Sequence, residues 1–418
     1  MTYCRRLSFK LGREARFSGP LLVEVSHRLP YTSTPPDRVR NLDHLSQTLA
    51  QPHRATISLS FVHVPAALIQ QLMVHGGCSI FPRIARLTVD FLSTEEEERL
   101  SPQFQGAWPQ TPSTPPQLPL LRVISIQFNH SYSIDGGLGD LETARNSREW
   151  GWLFTPATMQ QLRSYDSTMM SHKDFSWLLS EAPELKELSS TCADTGDNES
   201  PPNPILIISH PKLRRMTISS WSQQIVFNCP SLSSLVNYWR SGCSSTGMSP
   251  QTVASLTALS LPFAGDNSSA MPPFRSLQSI SHLTINYNAL SSFADSFQDP
   301  SICPALRSLV VRFPQPTAAD PNSSGYLQPF GDAPTVARLL SRLVAPRPGG
   351  VSGIQELDLR FERPISEYQR PHIREDFVKM YRLLHPNNFQ EVIPEIPLDI
   401  GIKSIRKCLD GGRRVCSA

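Results

Sequence analysis

The residue types that do chemistry are present in this sequence, but seldom at the spacing chemistry requires. Asp135-Gly-Gly-Leu-Gly-Asp140 is a Gly-rich knot, the kind of turn whose backbone N–H groups can cradle a phosphate. No Lys or capped helix start follows it, so it reads as a surface turn. Glu95, Glu96, Glu97 and Glu98 form an acidic run that would suit a metal or a basic partner. The simpler reading is a solvated loop or helix face. The eleven histidines are isolated, with no i, i+2 or i, i+4 pair arranged for a metal. G-x-G-x-x-G, G-x-x-x-x-G-K-[ST], H-E-x-x-H and G-x-S-x-G are all missing. The expectation is a chain that is not an enzyme and carries no cofactor and no metal.

What remains is the chemistry of recognition. Arg86, Asp90, Arg215, Tyr238, His282, Asn286, Arg312, Glu356, Asp358 and Arg360 fall on alternate positions of short strand-like segments, pointing away from the apolar positions. Of these, Asp358 belongs to a middle row that the others flank: Thr88, Ser125, Ser189, Thr217, Val236, Ser260, Thr284, Val310 and Asp358. Six of these nine carry hydroxyls. The plain account is that Ser and Thr are compact and suit strands. The sharper account is a polar floor for a partner peptide, with the larger flanking groups setting specificity. Charges gather toward the last segments, and Arg and Tyr dominate binding hot spots, so that end is the preferred docking region.

The elements that must position these residues repeat along the chain. CPALRSLVVRF (303–313) is the clearest copy: a turn, then Leu306, Leu309 and Val311 in the spacing L-x-x-L-x-[LV]. One such unit cannot bury its apolar side alone and requires stacked copies. The first anchors of the copies are Ile84, Leu121, Leu185, Leu213, Leu232, Leu256, Ile280, Leu306 and Ile354. From Leu185 to Leu306 the steps are 28, 19, 24, 24 and 26 residues, most of them in the window of about 20–29 residues that leucine-rich repeats use. The long gap after Leu121 is expected to hide a worn copy at QLRSYDS, near Leu162 and Tyr165, and the gap after Leu306 a doubled or inserted unit.

Between the strand segments lie amphipathic stretches expected to be helices: DFSWLLSEA, ALSSFADSF and APTVARLLSRLVA. Nearer the N-terminus, RVRNLDHLSQTLA and PAALIQQLMV read as helices, and ATISLSFVHV as a half-buried strand. The fold expected is α/β, a leucine-rich-repeat solenoid of roughly ten to twelve units, with a curved parallel sheet on the concave side and helices and loops on the convex side. Residues 1–80 would form N-terminal repeats or a cap, and 81–363 the array, with loop insertions near 101–119, 194–204 and 314–332. Residues 364–418 would form a C-terminal cap helix, around 373–384, and a tail.

Composition agrees with many short elements. Hydrophobic residues make up 39% and charged residues 18%, enough to fold. Proline, at 38 of 418 residues, is well above the usual share of about 5%. A net charge of +3 gives no reason to expect nucleic acid or an anionic membrane as partner. The eight cysteines are scattered without C-x-x-C, which favours reduced thiols and a cytoplasmic or nuclear setting. No signal-peptide-like run is visible near the N-terminus, and no apolar stretch approaches the roughly 20 residues needed to span a bilayer.

The units PSLSSLV, PALRSLVV, PELKELS and PKLRRMTI resemble the degenerate leucine-rich repeats of fungal F-box-type proteins, over residues 55–385. The resemblance implies a protein–protein interaction module serving as a ubiquitin-ligase substrate receptor. In that family an F-box binds the adaptor of a cullin–RING ligase and the repeats present a substrate protein. RLPYTSTPPDRV has the Leu29-Pro30 of an F-box opening, but Pro35 and Pro36 stand where its helix would run. The adaptor is therefore expected as a partner only if an F-box lies upstream. The alternative is a standalone repeat scaffold or regulator unconnected to ubiquitination.

Overall fold

A computed structural model describes residues 21–26, 56–62, 81–90, 117–127, 141, 145, 151–192, 206–220, 225–239, 247–261, 277–313, 333–348, 353–361 and 407–408. The chain divides into two compact units, Met1–Asp197 and Asn198–Ala418.

Among the described residues, the first unit is built on β1 (Leu21–Ser26), β2 (Ile57–Val62), β3 (Ile84–Asp90), β4 (Val123–Gln127), β5 (Ser164–Met170) and β6 (Glu187–Cys192). Each pairs in parallel with the next in chain order. Parallel neighbours need a crossover between them. Between β5 and β6 that crossover is the helix α2 (His172–Glu181), preceded in the chain by the single turn α1 (Pro156–Met159).

Local sequence explains both helices. Thr155 caps α1, with Pro156 at its first position. Ser171 caps α2 and forms a reciprocal capping box with Asp174. Phe175 and Leu178, on one face of α2, are buried, and Pro183 follows its end. The expected helix DFSWLLSEA is thus present.

The inward row of this sheet is Leu59, Leu87, Ile124, Tyr165 and Leu188, all in register and all buried. The segment QLRSYDS, expected as a worn copy, does form a strand between β4 and β6. Its ring occupies a place that its neighbours fill with aliphatic side chains. The strand β1 falls outside the elements expected from the sequence.

The second unit carries a main sheet in the order β8 (Arg215–Ser220), β10 (Ser234–Trp239), β12 (Ala258–Leu261), β13 (His282–Asn286), β14 (Ser308–Phe313), β15 (Glu356–Phe361) and β16 (Lys407–Cys408). The pairs from β8 to β15 are parallel, and β16 is antiparallel to β15. Met216, Leu235, Leu259, Leu283, Leu309 and Leu357 lie side by side in register and are buried. Preceding them in each unit, the turn anchors Leu213, Leu232, Leu256, Ile280, Leu306 and Ile354 are also buried.

A second ladder reinforces this stacking. The Arg214 carbonyl accepts the N–H groups of Ser233 and Ser234, the Ser233 carbonyl those of Thr257 and Ala258, and the Thr257 carbonyl those of Ser281 and His282. The hydroxyls of Ser233, Thr257 and Ser281 add a third donor at each step. Small hydroxyl residues just before β10, β12 and β13 therefore tie each of these turns to its predecessor.

Among the described residues, the connections depart in one place from the expected helices and loops. The segments β7 (Leu206–Ser209), β9 (Ile225–Asn228) and β11 (Gly247–Met248) form a separate parallel three-stranded sheet. Runs such as LIIS and IVFN are too short for a stable helix and rich in β-branched residues, so strand pairing prevails. Ile208 and Phe227 point inward and are buried, whereas Ile207 is 62% exposed.

Helices resume with α3 (Pro250–Ser255), α4 (Leu290–Ser296) and α5 (Ala333–Val344). The buried faces of α4 and α5 are Leu290, Phe293 and Ala294, and Val336, Leu339, Leu340 and Leu343. Strands β14 and β15 pair directly, so the long gap after Leu306 is an inserted connection containing α5. The expected helices at 38–50, 65–74 and 373–384, the F-box-like stretch, the Gly-rich knot and the acidic run lie outside the described residues, as do nearly all of the expected loop insertions. Among the described residues no helix is long and apolar enough to cross a membrane.

Candidate functional site

Strand alternation sends every second side chain away from the leucine rows, and parallel register lines these outward residues up across each sheet. In the first unit the middle outward row is Thr88, Ser125, Asp166 and Ser189. Asp166 is absent from the residues expected to bind because it lies in the most degenerate segment; its place one residue after Tyr165 is the available signal. Its Oδ2 accepts from the Ser125 hydroxyl at 2.9 Å and from the Gln127 amide at 3.2 Å. This floor therefore bears a carboxylate braced by the neighbouring strand β4. On its flanks, Arg86 is exposed and Asp90, beside Gln127 in register, is half-buried.

In the second unit the middle row is Thr217, Val236, Ser260, Thr284, Val310 and Asp358. A parallel row holds Arg215, Ser234, Ala258, His282, Ser308 and Glu356. Arg215, His282 and Glu356 in this row are exposed. His282 Nδ1 shares a 2.8 Å hydrogen bond with the Ser281 hydroxyl. On the other flank, Asn286, Arg312 and Arg360 stand in register.

Two expectations need correction. Asn286 is 7% exposed, and its Oδ1 accepts the backbone N–H of Asn288, capping the 3-10 turn Tyr287–Ala289. It terminates a strand and starts a turn, so it is not an available contact group. Asp358 is 5% exposed and is likewise withdrawn from the surface. Arg312 is half-buried, and its Nε is shielded from solvent without a partner among the described residues. Tyr238 and Arg360 lie on β10 and β15, with side chains outside the described residues.

The buried thiols play no visible part in these rows. Burial pushes the Cys229 thiol up to about 11 and the Cys303 thiol up to about 12, the latter pulled back in part by the Arg347 guanidinium. Neither forms a disulfide, and both act as small core residues. Burial also pushes the Tyr165 phenol well above its ordinary value. Among the described residues no group of three His, Cys, Asp or Glu side chains is placed to hold a metal ion. No protein-family model matches the chain, and no curated protein matches it significantly.

Proposed function

We propose that this chain is a non-catalytic protein-binding module, a leucine-rich-repeat solenoid whose outward strand rows receive a partner segment. The observation that carries the reading is the in-register outward surface of the second unit, where exposed Arg215 and His282 and half-buried Arg312 stand on a floor of small side chains. That surface favours an acidic peptide segment, because guanidinium groups pair with carboxylates in fixed geometry. The repeat style supports a role as the substrate-recognition arm of an F-box-like ubiquitin-ligase receptor, working in the cytoplasm or nucleus.

Replacing Arg312 and Arg360 by Glu tests the surface. The double variant should keep its circular dichroism and melting temperature while losing binding to partners recovered from lysate by the unaltered chain. Unchanged recovery would place the docking surface elsewhere. Recovery of the cullin–RING adaptor in the same experiment supports the ligase role, and its consistent absence supports a standalone scaffold.

A further inference from the structure

The residue after each turn anchor stands at the rim of the sheet, where a strand begins. In the second unit Ser233, Thr257 and Ser281 hold that place ahead of β10, β12 and β13, and each hydroxyl folds back onto the carbonyl of the preceding rung. In the first unit the same place ahead of β4, β5 and β6 is held by Arg122, Arg163 and Lys186. Their backbones form the same ladder. The Ala85 carbonyl accepts the N–H of Arg122, the Arg122 carbonyl those of Arg163 and Ser164, and the Arg163 carbonyl those of Lys186 and Glu187. Three long cations therefore start from consecutive rungs, about 4.8 Å apart along the ladder. One strand earlier, where the rim residue is Ala85, the exposed Arg86 supplies the charge from the next position.

Arg163 is exposed, and Arg122 and Lys186 are half-buried. Arg122 is fixed in place: its Nη1 donates to the carbonyls of Pro119 and Leu121 and to the side-chain oxygen of Gln161. A guanidinium already held loses less rotamer freedom when it meets a carboxylate. Two acids accompany Lys186. Glu184 is half-buried, and Glu187 stands on the outward row, where its Oε2 accepts from the Ser164 hydroxyl at 3.4 Å, across the sheet instead of along the rim. Four cations against these two acids leave the strand starts positive. Like charges on neighbouring rungs repel one another, and an anionic partner turns that repulsion into attraction.

We infer that this rim binds an acidic peptide segment in extended conformation. The four strand starts span about 14 Å, at roughly 4.8 Å per strand. An extended peptide presents side chains on one side every 6.8 Å or so, about twice the rise of one residue. Asp or Glu at alternate positions of a five-residue stretch therefore covers the row, and the arginine forks pair with carboxylates in fixed geometry. Single-stranded nucleic acid fits less well, because its bases stack on aromatic side chains, whereas the row beside the rim carries Val123, Ser164 and Glu187. The rim belongs to the first unit and is independent of what the outward rows of the second unit bind.

The full-length chain and a fluorescent peptide of six Glu-Ser repeats supply the test. Arg163→Ser/Lys186→Ser copies onto this rim the hydroxyl chemistry of the second unit, so its circular dichroism and urea midpoint should match those of the unaltered chain. It should bind the peptide about tenfold more weakly, the loss of two exposed ion pairs, and added salt should close the gap. Carbodiimide coupling reads the position: peptide mapping of the unaltered chain should find the Lys186 amine joined to a carboxylate of the peptide. That cross-link should persist in Arg312→Glu/Arg360→Glu, whose substitutions lie in the second unit. Unchanged affinity in the serine variant, no coupling at Lys186, or coupling that disappears with the second-unit substitutions would each overturn the proposal. Tighter binding of a single-stranded oligonucleotide of equal charge would overturn it as well.

Discussion

Arg347 donates from Nη1 to the carbonyl of Ile302 at 2.7 Å, joining positions 45 residues apart. The same guanidinium lies 4.1 Å from the centroid of the Phe297 ring, and its Nη2 reaches the Cys303 carbonyl at 3.5 Å. Cys303 itself has φ of 42°, a left-handed turn that a side chain other than Gly adopts at a cost. A buried cation thus holds the strained turn that precedes β14.

Arg347→Met keeps much of the volume and removes the donors to the Ile302 and Cys303 carbonyls. The expected loss is about 2–3 kcal/mol, read as a lower urea midpoint with unchanged slope. Arg347→Lys should recover only part, because a single ammonium cannot reproduce the planar fork stacked on the ring. A wild-type midpoint in the Met variant would show that the clamp contributes nothing.

The three-stranded sheet depends on Thr252. Its Oγ1 accepts the backbone N–H of Cys229 at 2.8 Å and donates to the Phe227 carbonyl at 3.3 Å, with the side chain fully buried. Thr252→Val preserves shape but strands a buried N–H and should cost about 1–3 kcal/mol. Thr252→Ser, which keeps the hydroxyl, should cost less than Val; equal losses in thermal unfolding would assign the effect to packing alone.

Leu309 is fully buried between Leu283 and Leu357 of the neighbouring strands. Leu309→Ala should destabilise by about 2–5 kcal/mol, and Leu309→Asp, which places an unpaired carboxylate in the leucine row, should yield little folded protein. Circular dichroism and proteolysis of the soluble fraction give the readout. A folded Asp variant of normal stability would contradict the shared core.

The raised thiols make alkali destabilising. Unfolded thiols ionise near 9.0, whereas Cys229 and Cys303 hold their protons to about 11 and about 12 in the folded chain. Stability from this source is complete below the unfolded value and is lost as pH rises toward the folded values, because the unfolded state releases its protons first. Urea midpoints should begin to fall as the pH passes about 9, and Cys229→Ala should make that fall shallower. An identical slope in the variant would remove Cys229 from the account.

By contrast, the Arg342–Asp295 pair at 2.7 Å joins side chains that are 41% and 63% exposed. Asp295→Asn should change stability by no more than about 1 kcal/mol, and added salt should erase even that difference. A larger loss in the urea midpoint that persists in salt would show that the pair does more than decorate the surface.

The periodic spacing of leucines determined which residues face inward. Leu213, Leu232, Leu256, Leu283 and Leu309 are buried where L-x-x-L-x-[LV] places them, and DFSWLLSEA, ALSSFADSF and APTVARLLSRLVA contain helices. These are local properties, set by the two-residue and 3.6-residue periods of strand and helix. The outward rows were also legible in phase: Thr217, Val236, Ser260, Thr284 and Val310 stand side by side as their positions require. Tertiary structure alone decided which of those groups stay accessible, withdrawing Asn286 and Asp358 and bringing Asp166 beside Ser125. It also chose the second sheet of β7, β9 and β11, the reach of Arg347 to Ile302, and the antiparallel strand at Lys407. Each of these joins segments distant in the chain, and such a choice depends on which surfaces meet in space, for which a local period carries no code.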